Sequence, residues 1–114
     1  MVALNSLLSA PPYAVEQEIR RLGTDLRTAR LRRNLTVKDV AEKLGTGTRA
    51  ITDAEKGKPT TAIATYVGLL WAYDLLSRLA DVADPLHDRE GSALDASHGR
   101  MRASRGTGGL SDDF

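Results

Sequence analysis

Two short helical patterns on either side of a glycine pair limit the fold more than any other feature of this chain. The stretch "LTVKDVAEKLGTGTRAITDAEKGKP" runs from Leu35 to Pro59. Thr36 stands in an N-cap position with Asp39 three residues on, a box-like pattern. Val40, Ala41 and Leu44 then form an inner face, and Gly45 falls just past the end. Gly47 takes the next N-cap position. Ile51 and Ala54 follow three apart, while Thr48, Arg49, Thr52 and Asp53 share the opposite face. Gly57 closes this helix of roughly two turns, and "KGKP" forms a turn. A phosphate-cradling loop would need Gly-x-x-x-x-Gly-Lys-Ser/Thr after a strand, and both motif and strand are missing.

The flanks are helical as well. Val15, Ile19, Leu22, Leu26 and Ala29 recur at spacings of four, three, four and three, an amphipathic helix that Gly23 weakens without ending. Beyond Pro59, Thr60 or Thr61 is expected to cap a helix with Ile63, Val67 and Leu70 inward. Asp74 is expected to cap a fifth, carrying Leu75, Leu76 and Leu79. The expected architecture is all-α: an N-terminal arm over residues 1–14, a five-helix domain over 15–83, and a largely flexible extension over 84–114 that is acidic, then Gly/Ser/Arg-rich. Within that extension "REGSALDASHG" can make a short helix. The tail over residues 96–114 has the composition of a segment disordered when free.

Composition narrows the function classes. Hydrophobic residues make up 41% of the 114-residue chain, enough for one small core, and aromatics only 4%, so that core is mostly aliphatic. The absence of cysteine removes disulfides, thiolate nucleophiles and Cys-based zinc sites. "MVALNSLLSAPPYA" lacks the positive charge of a signal peptide, and no apolar run is long enough to span a bilayer, so a cytoplasmic chain is expected. Net charge is +1, but residues 16–58 hold 11 Lys/Arg against 7 Asp/Glu, and residues 74–114 hold 5 Arg against 8 Asp/Glu. A basic front (+4) and an acidic back (−3) suit two different partners. Ordinary solvated surface is the alternative.

Two short helices joined by a Gly-containing turn make a helix-turn-helix, whose second helix can enter the DNA major groove. The stretch "LRTARLRRNLTVKDVAEKLGTGTRAITDAEKGKP" resembles the XRE, or phage-repressor, family over about residues 24–80. The matching pieces are Leu26 to Arg30, Leu35-Thr36, Val40-Ala41 to Leu44-Gly45, and Ile51, Glu55 and Gly57. The resemblance implies a lambda-repressor-like five-helix domain binding double-stranded operator DNA. It also implies an internal structural pair between Arg30 and Glu55, which takes Glu55 out of consideration as a catalytic group. Three positions depart from the family pattern. Val37 stands where a phosphate-touching Gln is common, Ala54 where a bulky apolar residue is common, and Gly47 where Ser or Thr usually caps.

Each outward residue has a role on DNA and a plainer one as solvated surface. Arg49 can pair bidentately with guanine O6 and N7, worth ~1–3 kcal/mol of base discrimination. Thr48 and Thr52 can meet a thymine methyl or a phosphate. Asp53 can accept from cytosine N4, or repel phosphate and enforce register. Lys38, Lys56 and Lys58 are phosphate candidates, with Thr36, Thr46 and Gly47 beside them at the helix N-termini.

The remaining constellations are weaker. His87 and His98 are isolated, Asp81, Asp84 and Asp88 read as a solvated acidic turn around Pro85, and no Ser-His-Asp or Cys-His set exists. Neither an enzyme nor a metal or other cofactor is expected. "LLWAYDLL" reads as core plus subunit contact, with Tyr66 and Trp71 as anchors of a homodimer. The segment "GLLWAYDLLSRLADVADPLHDREGSALD", Gly68 to Asp95, resembles HipB-type antitoxins. That resemblance implies a dimeric autorepressor that also binds a HipA-type Ser/Thr kinase toxin. A stand-alone repressor and a kinase-binding module without DNA binding are the competing readings. In the tail, Leu110 and Phe114 are apolar residues beside Asp112 and Asp113. They read as a docking segment, a degradation signal or an inert end.

Overall fold

Every regular element of the computed structural model, which describes residues 6–104, is helical. In order these are α1 (Ser6–Ser9), α2 (Tyr13–Arg32), α3 (Val37–Leu44), α4 (Thr48–Glu55), α5 (Ile63–Ala72), 3-10 segments at Leu76–Asp81 and Pro85–His87, and α6 (Arg89–Ser104). The chain divides into two units between Ser77 and Arg78. No helix among the described residues is long and apolar enough to cross a membrane. Of the expected tail over 96–114, the part from residue 105 on, with Leu110 and Phe114, lies outside the described residues.

In the first unit α2, α3, α4 and α5 enclose one core. Leu26 and Ala29 from α2, Val40 and Ala41 from α3, Ile51 and Ala54 from α4, and Tyr66 and Leu69 from α5 are buried together with Tyr73. Ile19, Leu22, Leu35, Val37, Leu44, Leu70 and Leu75 pack around them. The inward sides of α3 and α4 follow the apolar spacing of the sequence, as does that of α2 from Ile19 on, while Val15, expected inward, is exposed. The inward side of α5 does not follow it. Ile63, expected inward, is 76% exposed, and the buried line is Tyr66, Leu69 and Tyr73. The α5 sequence, "IATYVGLLWA", is apolar all round, so periodicity cannot choose its buried side.

All four of these helices end in the same way. A residue with positive φ comes after each one: Asn34 (55°), Gly45 (71°), Gly57 (70°) and Asp74 (61°). The next N–H reaches back five residues, from Leu35 to Arg30 O, Thr46 to Ala41 O, Lys58 to Asp53 O and Leu75 to Leu70 O. This is the Schellman arrangement, which satisfies the last carbonyls of a helix. Two sequence expectations change here. Asp74 ends α5 instead of capping a fifth α-helix, because Asp tolerates the left-handed region. The chain continues from it into the 3-10 segment Leu76–Asp81, with Leu75 packed on the core and Leu76 and Leu79 exposed. The start of α5 also differs: its N-cap is Ala62, without a side-chain hydrogen bond, in place of Thr60 or Thr61.

The second unit holds Pro85–His87 and α6. Asp84 accepts from the N–H of Leu86 and Asp88 from that of Gly91, so two of the three clustered aspartates serve as turn caps. The helix is longer than "REGSALDASHG" suggested, continuing to Ser104, so residues 96–104, expected to belong to a disordered tail, are helical, and the extension is not largely flexible over 89–104. Glu90 in its first turn and Arg102 in its last complement the helix dipole.

Candidate nucleic-acid interface

The turn between α3 and α4 is built from local chemistry. Thr36 caps α3: its hydroxyl accepts from Asp39 N–H at 3.0 Å, and the Asp39 carboxylate accepts from Thr36 N–H at 2.9 Å. That reciprocal box, led by the backbone N–H of Thr36, holds the Asp39 carboxyl below its usual range. Gly45 ends α3 in the left-handed region, and Gly47, in extended conformation, is the N-cap of α4. Val37, standing where a phosphate-touching side chain is common, turns partly onto the core.

Behind the turn sits an internal ion pair. Arg30 Nε lies 2.7 Å from one Glu55 oxygen and Nη2 3.0 Å from the other, while Nη1 donates to Leu35 O at 3.0 Å. Both side chains are shielded from solvent. The Glu55 hydrogen bond raises the Arg30 pKa further above its already high ordinary value. Three segments are thereby joined: the end of α2, the loop before α3 and the end of α4.

Two supports beneath this frame were not anticipated from the sequence. Gly23 of α2 meets the backbone at the end of α4 so closely that a Cβ there would lie 2.5 Å from Ala54 O and 2.9 Å from Gly57 N. Gly57 lies equally close to Arg20, whose Cα would be 2.6 Å from a Cβ at that glycine. Arg33 donates to Ala29 O and to Tyr73 O, both at 2.9 Å, with its guanidinium 5.5 Å from the centre of the Tyr73 ring. Burial, together with the Glu55 charge, pushes the Tyr73 hydroxyl up to about 12. The only advance signals were a glycine inside a helical pattern and an Arg at a helix end.

On the outer face, Thr48 and Arg49 are exposed and Thr52 and Asp53 partly so, with the Arg49 side chain 86% accessible. The Thr52 hydroxyl donates to Arg49 O at 3.1 Å. Asp53 lies between two cations, 3.1 Å from Lys58 Nζ and 3.8 Å from Arg49 Nε. Thr36, Lys38, Thr46, Gly47 and Lys56 are exposed, Lys38 in the first turn of α3 and Lys56 just past α4.

The two aromatics expected at a subunit contact separate. Tyr66 is a core residue, 7% exposed, with its hydroxyl donating to Lys58 O at 3.0 Å. Its ring is spent on the core, leaving little surface for another chain. Trp71 is 54% exposed, with the Lys43 ammonium 5.3 Å from its ring centre.

A capped short helix, a left-handed glycine turn and a second helix with an open Thr/Arg face constitute a helix-turn-helix, the motif of DNA-binding regulators. Residues 26–70 match the helix-turn-helix family model HTH_3, so this segment is similar to XRE-type DNA-binding transcription regulators. No curated protein and no solved structure matches the chain.

Proposed function

We propose that this protein is a homodimeric, sequence-specific repressor that reads operator DNA through α4, and that it is the antitoxin of a HipA-type Ser/Thr kinase toxin. The observation supporting DNA reading is the open face of α4, carried on a frame fixed by the Arg30–Glu55 pair. Arg49, Thr48 and Thr52 meet base edges. Lys38, Lys56 and Lys58 meet phosphates, with the N-termini of α3 and α4 (Thr36, Thr46 and Gly47) beside them. Trp71 anchors the dimer, since it offers an aromatic surface on α5 where Tyr66 does not.

The kinase partner is supported by the likeness of Gly68–Asp95 to HipB-type antitoxins and by the split of charge along the chain. The basic front serves DNA, and the acidic back serves a protein. Gel shifts with DNA upstream of the gene test the first part, and co-purification with a kinase encoded in the adjacent reading frame tests the second. A chain that shifts upstream DNA while leaving the kinase unbound is a stand-alone repressor. One that binds the kinase and no DNA is a pure kinase-binding module.

A further inference from the structure

We infer that Asp53 is a positioning residue that restrains sequence-independent DNA binding, by occupying Lys58 and Arg49 until a phosphate or base displaces it. This rests on the DNA-binding reading above. One carboxylate oxygen lies 3.1 Å from Lys58 Nζ and the other is turned to Arg49 Nε at 3.8 Å. Asp53 is the more shielded partner in both pairs, its side chain 24% accessible.

The backbone of Lys58 is fixed independently of its side chain. Its N–H donates to Asp53 O at 3.1 Å, and its carbonyl accepts from the Tyr66 hydroxyl at 3.0 Å. With the main chain pinned, Asp53 decides where the Lys58 ammonium rests. The carboxylate therefore stands in for a phosphate at the basic turn beyond α4.

On random duplex, Lys58 exchanges one anion for another, and Asp53 is left uncompensated beside the DNA. The exchange gains little and adds a like-charge contact. On a matching site, the released Arg49 gains a base partner, which offsets that cost. The arrangement lowers affinity for any sequence that lacks the base contact, and so widens discrimination.

The test uses the full chain and a mixed-sequence DNA duplex, with anisotropy titrations over a range of salt. Asp53→Asn is expected to bind severalfold more tightly than the unsubstituted protein. Its log–log salt slope is expected to steepen by about one unit per subunit. In a Lys58→Met background the same Asp53→Asn change is expected to give less than half of that gain. Unchanged or weaker binding by Asp53→Asn overturns the inference. An equal gain in both backgrounds overturns it too, because the effect is then general charge repulsion. If Asp53→Asn does not fold, Asp53→Ser carries the same expectation. Absence of salt-dependent binding by the unsubstituted protein, to this duplex and to upstream DNA alike, would remove the DNA-binding reading itself.

Discussion

Arg30 grips both oxygens of Glu55, at 2.7 and 3.0 Å, and holds the Leu35 carbonyl with its remaining nitrogen. Arg30→Met would leave a shielded carboxylate unpaired and the Leu35 carbonyl without that donor. Breaking such a pair costs ~3–5 kcal/mol when fully buried, which is the upper bound here. Thermal melts should show the loss, and Arg30→Met with Glu55→Leu should recover part of it. A thermally silent single change would contradict a structural role for the pair.

Gly23→Ala is expected to reverse the usual sign. Replacing an interior helical glycine by alanine ordinarily stabilises by about 1 kcal/mol. Here the new methyl would collide with backbone atoms of Ala54, Glu55 and Gly57, none of which can swing aside. A net loss of ~1–3 kcal/mol in denaturant unfolding is expected from the overpacking. Gly45→Ala supplies the comparison: it meets open space, so only its left-handed φ is penalised, by ~1–2 kcal/mol.

Tyr73→Phe should leave stability at neutral pH unchanged or slightly higher, because the buried hydroxyl has no hydrogen-bond partner among the described residues. The alkaline limb should differ. Tyr73 keeps its proton to about 12 when folded, above its ordinary 10.0. Its contribution is thus complete below pH ~10 and is lost as pH rises through ~12. Melting temperatures across that window should fall less steeply for the Phe variant. Parallel curves would contradict the assignment.

Arg49→Ala should erase base preference at one position of each half-site while leaving the melting temperature intact. Selection on randomised operators measures this, and an unchanged preference would remove Arg49 from base reading. Three to four phosphate contacts per subunit give a log–log salt slope of roughly −5 to −7 for a dimer. Lys38→Ala should make that slope shallower by about two units.

Sedimentation should show a homodimer, and footprints should show inverted half-sites about one helical turn apart, ~10 bp, or a multiple of that. Trp71→Ala should weaken the dimer. A monomer both free and on DNA would defeat this arrangement.

Much of the helix-turn-helix frame was legible in the sequence because its signals are local. The Thr36–Asp39 box, the glycines at 45, 47 and 57 and the Ile51–Ala54 spacing each depend on a few neighbouring residues. The features that escaped depend on distance in space or on degenerate patterns. Gly23 looked like a mere weakness in α2 because its reason is the backbone of α4, some thirty residues away. Tyr66 and Ile63 could not be told apart on a helix apolar on every side. Asp74 carries the same side chain whether it starts a helix or ends one, and only its φ of 61° decides. The bracketing of Asp53 joins a helical neighbour to a residue beyond the turn, which no spacing rule for one helix contains.

Trp71 has a consequence for how this molecule can be watched. It is the sole tryptophan of the chain, and its indole is more than half open beside the Lys43 ammonium. Its fluorescence therefore reports one patch of α5 without any label. A chain that covers this patch would dehydrate the indole and shift its emission to the blue, whereas contact confined to the α4 face would leave the colour largely unchanged. One cuvette could then separate assembly from DNA binding in real time.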